Sequence, residues 1–392
     1  MKKLRSQGIV LVILSSLIIF NSCNKDSKET TVIRQSEFKE KGADLHDIVK
    51  EERYIILDNT IPLQYVSKVA GAGDKLLIED QEMLFLYSSE GKFIRQIGSK
   101  GNGPGEYLSI TDYCVDNNSG KVFILSPKYK LMVFNLEGEF EKSFIPDENV
   151  AFNRIVYRDN MLYLFDTFSF GSLIYNWIII DTEGKRLKEK HNYIPEYESI
   201  MYIYMDPVFE NKDKIYYWNN LNDTIFEIEG LESKTAFLIA EEEGRINTDD
   251  LKDFQSYSQC EKWQPNSIHA ISDYLIFYYN VFREHVCLAS VWYDTRTGSP
   301  LSVNVLERST KNVGIDNMLE GNINFYARNK IELDGKEYLV SWDPALNFKQ
   351  KATDYLSENE DTDPDYKNSK QYIAADKISV EDNPVIILVN IK

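Results

Sequence analysis

The sequence predicts an all-β chain closed into a six-bladed β-propeller of four-stranded antiparallel blades, on three observations. A tight glycine turn recurs as SEGKF at Gly91, LEGEF at Gly138, TEGKR at Gly184 and IEGLE at Gly230, at intervals of 47, 46 and 46 residues. A fifth copy, TRTGS at Gly298, follows after 68 residues, so that one unit carries an extra loop. A period in the forties built from short strands is the mark of a propeller. Second, each unit offers four strand-like runs, and the second run is continuously apolar: LLIE, VFIL, LYLF, IYYW and LIFY. A strand covered on both faces has that composition. Third, a strand-like run at 54–58 has no partner ahead of the first unit, and one at 385–389 has none behind the last.

Taken in order, the first unit has runs at 65–70, 75–80, 84–89 and 93–98, and the second at 110–115, 122–126, 131–136 and 140–145. The third has 153–157, 161–166, 176–181 and 186–190; the fourth has 205–209, 214–219, 224–229 and 235–240. The fifth has 267–271, 274–279, 289–294 and 300–305. A sixth begins at 322–333, turns at Asp334-Gly335 and continues at 336–342, then breaks for about forty residues before 385–389. Pairing 54–58 with 385–389 supplies its fourth strand and closes the ring. It also removes an open sheet edge that would invite aggregation.

The N-terminus reads as a targeting segment. A basic start (Lys2, Lys3, Arg5) precedes an apolar run over 8–20, which is too short to span a bilayer and fits an export signal. Asn21-Ser22-Cys23 and a polar tract follow, as at a bacterial lipoprotein cleavage site. The expected organisation is a signal peptide over 1–22, lipidation of Cys23, a polar tether over 23–50 and a propeller over 51–392 with insertions at about 241–266 and 343–382. The alternative is a secreted protein in which Cys23 is a stray thiol. Two or three acyl chains, at roughly 0.8 kcal/mol per buried CH2, would hold such a protein on its membrane.

Charge narrows the partners. The formal charge is −18, and loss of the first 22 residues removes three bases and no acid, which takes it to −21. Nucleic acid and anionic lipid surfaces are disfavoured, whereas neutral glycans and peptides are not. Cys114, Cys260 and Cys287 are too few for a disulfide framework, although a Cys260–Cys287 bridge stays open. The absence of CxxC argues against a zinc site.

The motifs KFIRQIGSKGNGPGEY, EGKF and EGEF, and the terminal DNPVIILVNIK, resemble those of the bacterial six-bladed β-propeller lipoproteins related to NHL-type propellers. The likeness runs from about Tyr54 to Lys392. It implies the fold and an extracytoplasmic site, and it carries no catalytic motif.

In such a blade the second-to-third and blade-to-blade connections leave on one side, and the other turns leave on the opposite side. The long loops fall on the first side, which is therefore the expected working face. Its aromatic residues suit sugar or peptide surfaces. The candidates for ligand contact are Phe168, Tyr175, Tyr197 and Trp263, with Arg283 and His285 as the polar cluster nearest the axis. Packing of the aromatics under the insertions, and solvation of the polar pair, are the structural alternatives. The glycine-rich stretch at 98–105 fits no phosphate-binding motif and reads as a turn between blades.

Asp361, Asp363 and Asp365 begin like a calcium loop, but Tyr366 and Tyr372 stand where glycine and glutamate are required, leaving a solvated acidic loop as the simpler reading. No catalytic residues, resident metal or cofactor are assigned. The sequence favours a membrane-tethered binding or scaffold module for a glycan, peptide or envelope protein. The rival is a metal-dependent hydrolase or lyase of lactonase-like type at the central channel.

Overall fold

The computed structural model describes residues 30–127, 130–167, 174–193, 206–218, 222–240, 262–282, 286–307, 319 and 325–392. Two strands come before the first repeat: β1 (Thr31–Ile33) and β2 (Val49–Ile56). Blade 1 then holds β3 (Val66–Ala72), β4 (Lys75–Asp80), β5 (Met83–Ser88) and β6 (Phe93–Ile97). The glycine-rich stretch forms a small parallel pair, β7 (Ser99–Lys100) with β8 (Glu106–Tyr107), so it is a turn between blades.

Blade 2 is β9 (Asp112–Asp116), β10 (Lys121–Ser126), β11 (Lys130–Asn135) and β12 (Phe140–Phe144). Blade 3 is β13 (Arg154–Arg158), β14 (Met161–Phe165), β15 (Tyr175–Asp181) and β16 (Arg186–His191). Blade 4 is β17 (Val208–Asn211), β18 (Lys214–Trp218), β19 (Thr224–Glu229) and β20 (Glu232–Ile239). Blade 5 is β21 (Lys262–Ile271), β22 (Tyr274–Phe282), β23 (Val286–Asp294) and β24 (Ser299–Glu307). Blade 6 combines β25 (Asn329–Leu333), β26 (Lys336–Asp343) and β27 (Val385–Ile391) with β2 from the other end of the chain.

The expected closure is present. β2 runs antiparallel to β27 with Tyr54 opposite Ile387, Ile55 opposite Ile386 and Ile56 opposite Val385, and the ladder extends back to Val49 opposite Ile391. Asn383 fastens the joint. Its amide accepts from the Leu63 N–H at 2.8 Å and donates to the Asp58 and Ile61 carbonyls at 2.7 and 2.8 Å.

Six clusters of buried apolar side chains fill the spaces between blades among the described residues, such as Val69, Tyr87, Tyr338 and Leu388 between blades 6 and 1. Each buried Leu, Ile, Val or Phe removes enough surface from water to contribute roughly 1.5–3 kcal/mol. The continuously apolar second strands thus serve two interfaces each.

Glycine is needed where the wedges touch. Gly91 has φ +86°, and a Cβ there would lie 2.1 Å from the Ile56 carbonyl oxygen of the closing strand. Gly71 brings β3 against β25 so closely that a Cβ would lie 1.8 Å from the Glu332 carbonyl oxygen.

Three expectations need correction. Residues 30–50, expected as tether, are a belt around the outside of the ring. β1 adds in parallel to the outer edge of blade 4, Lys41 exchanges two 2.9 Å backbone hydrogen bonds with Val303 on blade 5, and the chain then enters blade 6 as β2. Phe38 and Leu45 are buried beneath it, which is why a largely polar segment is held at all.

The insertion at 343–382 is also not a face loop. It forms α1 (Ala345–Asn359) and α2 (Lys370–Lys377), whose Phe348, Ala352, Ala374 and Ala375 join the core between blades 5 and 6. The insertion expected over 241–266 is shorter, because Lys262–Asn266 already belong to β21. The blade-5 strands run longer than expected because Trp263 packs under the belt against Phe38.

Candidate functional site

The first strand of every blade lines the axis. Together β3, β9, β13, β17, β21 and β25 enclose a channel of about 300 Å³. These strands enter from the side of the blade-to-blade connections and leave through tight hairpins, so their first residues form the mouth on the loop-bearing side.

Strands β3, β9 and β13 and a residue just ahead of β17 each place one charge there, and the signs alternate. Lys68 Nζ lies 2.5 Å from Asp112 Oδ1, Arg154 lies 3.5 Å from the same oxygen, and the other Arg154 nitrogen lies 3.4 Å from Asp206. Blades 1 to 4 are thereby joined by one chain of charges. Lys68 also donates to the Tyr113 carbonyl at 2.8 Å, and Asp112 accepts from the Ile155 N–H at 2.8 Å. The motif is visible in the sequence: the four residues are spaced by 44, 42 and 52 positions, which follows the blade period.

Burial alone would raise the Asp112 carboxyl, but Lys68, Arg154 and the Ile155 N–H more than offset it and hold it below the ordinary range. Glu79 on β4 behaves oppositely. Burial pushes it up to about 7, which Lys68 opposes and Asp112 reinforces. Burial pulls the His269 imidazole down to about 4 despite Asp206 nearby, so it is neutral at physiological pH.

Blade 6 completes the mouth with Tyr326 and Arg328. Burial raises the Tyr326 phenol, with Arg328 and Ser267 opposing and Asp206 adding to the shift. The Tyr326 ring lies 4.4 Å from that of Tyr278. The Arg328 guanidinium sits 4.5 Å from the Trp342 ring centre and 5.7 Å from that of Tyr326. It stays accessible to solvent, although the side chains crowding it lower its pKa.

Farther down the channel Arg158 holds Glu210 at 2.7 Å and Asp213 at 3.2 Å. Among the described residues no three His, Cys, Asp or Glu side chains lie close enough together to hold a metal ion.

The residues expected to bind ligand divide three ways. Phe168, Tyr197, Arg283 and His285, like Cys23 and Cys260, lie outside the described residues. Tyr175 stands at the loop-side end of β15, half-buried, with Arg186 5.2 Å from its ring centre and the His191 ring at 4.9 Å. Trp263 is only 6% exposed and meets the Phe38 and Tyr279 rings edge-on, so it packs the belt onto blade 5. Asp361, Asp363 and Asp365 lie within the insertion, between α1 and α2, where Asp363 accepts from the Tyr355 hydroxyl at 3.1 Å. Cys114 is half-buried and borders the channel.

Solved structures share the architecture. The chain is similar to a Bacteroides fragilis NCTC 9343 protein (BF0058) named for its inferred export, with a TM-score of 0.67 at 16% identity, covering 92% of this chain and 99% of that one. It is also similar to a DUF4221-family member from Bacteroides vulgatus ATCC 8482, with a TM-score of 0.52 at 8% identity over 88% and 98%. At such identities the likeness is one of fold. No curated protein matches the chain significantly. The sequence model for DUF4934, a domain of unknown function, matches residues 30–390, nearly the whole described ring with its belt, and the chain belongs to that family.

Proposed function

We propose that this chain is an extracytoplasmic binding module, held to a membrane of the cell envelope by lipid on Cys23. On this reading it recognises a glycan, a peptide or a partner envelope protein through the loop-bearing side of the propeller. The inequality of the two sides carries the proposal. One side is built from short hairpins such as those at Gly91, Gly138 and Gly184, each at positive φ, while the strands that the long connections join end on the opposite side. A ring of packed blades bearing long loops on one side is a scaffold for recognition. The export pattern at the N-terminus, and a structural neighbour named for export, support the location. The net charge of −18 weighs against nucleic acid.

The test uses the full chain purified from membranes in detergent, presented to glycan arrays and to immobilised envelope extract. Saturable retention of a glycan, peptide or envelope protein, lost on replacing the loop-side connections by short turns, is the expected result. Absence of any retention above a bare support overturns the proposal.

One observation favours a second reading, a metal-dependent hydrolase or lyase of lactonase-like type acting at the mouth. Glu79 is held near half-protonation at neutral pH beside the ionised Asp112, and a pair of carboxyls with separated pKa values is how many hydrolases assign acid and base. Elemental analysis of the purified chain separates the readings, since a stoichiometric, tightly held divalent ion would favour the enzyme.

A further inference from the structure

We infer that Arg328 is the anchor for a carboxylate group carried by the ligand of the loop-bearing face. The inference deepens the binding-module reading and rests on it.

Arg328 is an anomaly in this chain. Each of the other seven described arginines has a carboxylate within 4.0 Å. With 62 acidic residues against 44 basic ones, an arginine does not lack for partners by chance. Yet among the described residues the Arg328 side chain has neither an ion pair nor a hydrogen bond, and its backbone N–H donates to the Val340 carbonyl at 2.8 Å.

A guanidinium brings five N–H donors, and those of the solvent-accessible Arg328 are left to water, which a ligand oxyanion can displace. What holds Arg328 is aromatic: the Trp342 and Tyr326 rings at 4.5 and 5.7 Å attract the cation through their faces. Such contact restrains the guanidinium while leaving its N–H edges unused. The result is a restrained fork at the channel mouth, the geometry that receives a planar oxyanion through two parallel hydrogen bonds.

The neighbouring charges narrow the anion. Asp343 acts electrostatically on Arg328, and Asp206 acts on the adjoining Tyr326. Asp343 is itself held by Lys351 at 2.6 Å, so it does not close the fork. Two fixed carboxylates close by oppose a dianion more than a monoanion, which favours a carboxylate over phosphate.

The experiment follows the Arg328 side-chain N–H resonance by NMR in the full chain, assigned by its loss in Arg328→Gln. It is titrated with trigalacturonate, with triglycine, with the methyl ester of each, and with inorganic phosphate. The expected result is a saturable shift with one or both carboxylates and none with the esters. The acid that moves it at lower concentration tells a uronic-acid glycan from a peptide terminus. In calorimetry Arg328→Gln should weaken binding of that acid about tenfold or more, with Arg328→Lys between the two, because a point charge keeps the attraction and loses the fork.

Thermal stability of the variants within about 2 °C of the parent marks them as folded. If Arg328→Gln does not fold, Arg328→Lys supplies the assignment by the same loss, and the titration of the unaltered chain with acids and esters decides. Equal shifts with acids and esters, stronger binding of phosphate, or no shift with either acid overturns the inference. If arrays or pull-downs retain a ligand that Arg328→Gln binds equally well, the carboxylate anchor fails and the module reading stands. If they retain nothing, the module reading fails, and the titration still reports on Arg328 separately.

Discussion

Replacing Glu79 by glutamine tests the electrostatics of the channel mouth directly. Glu79 is 8% exposed on β4, and its pKa is raised from 4.5 to about 7. Below pH 4.5 the carboxyl is neutral whether the chain is folded or not, and it contributes nothing to the pH dependence. Between pH 4.5 and 7 the folded state keeps a proton that the unfolded state has released, so stability falls as pH rises. Above pH 7 the full cost of the buried charge is present. At 1.36 kcal/mol per pKa unit that cost is about 3 kcal/mol. With an unfolding entropy of roughly 2.1 cal/mol/K per residue, a chain of this length changes Tm by about 4 °C for that energy.

Glu79→Gln should therefore gain about 3 °C relative to the parent between pH 5 and pH 8.5, with most of the gain below about pH 7. Other titrating groups are common to both proteins and drop out of the difference. Differential scanning fluorimetry across that range is sufficient. A Tm difference independent of pH, or one that grows toward acid, would refute the assignment of a raised pKa to this carboxyl.

Other outcomes follow from the same structure. Asp112→Ala leaves Lys68 and Arg154 without their shared anion and should cost about 3–5 kcal/mol in urea unfolding, while Asp112→Asn keeps an acceptor for the Ile155 N–H and should cost less. Gly91→Ala drives a methyl group into the Ile56 carbonyl and should lower Tm by several degrees. Gly230→Ala, at φ +58° with nothing within 4 Å, should cost only about 1 kcal/mol of backbone strain. Leu45→Ala, at a fully buried belt position, should cost about 2–5 kcal/mol in the same assay. A loss below 0.5 kcal/mol there would mean that the belt is not part of the folded unit.

The ring was legible because its signals repeat. Turn glycines and doubly covered strands recur at one period, and a single strand left over at each end has one economical use. The belt was not legible, because β1 is three residues long and its partner strand is about two hundred positions away. Nothing in Thr31-Val32-Ile33 distinguishes an edge strand from a linker. The helices of the insertion were within reach, since Phe348, Ala352 and Tyr355 follow helical spacing, but the surrounding polarity masked it.

At the mouth, each charged residue taken singly reads as a solvated side chain. Only their common place at the start of successive units gives Lys68, Asp112, Arg154 and Asp206 a joint meaning. Arg328 carried no such signal, because its distinction is the absence of an ion-pair partner among the described residues, which only three dimensions reveal. Trp263 was misjudged because an aromatic residue expected in a long insertion turned out to lie inside a strand.

The belt also determines how the molecule answers a pull. Tension applied at its N-terminal end is met in series, first by the three-residue ladder on blade 4, next by the pair of backbone hydrogen bonds at Lys41, and last by the long ladder that closes the ring. The outer fastenings are weaker and yield first, paying out slack before any load reaches the closing seam. A chain dragged by its leading end can thus lengthen along the belt while the ring stays whole.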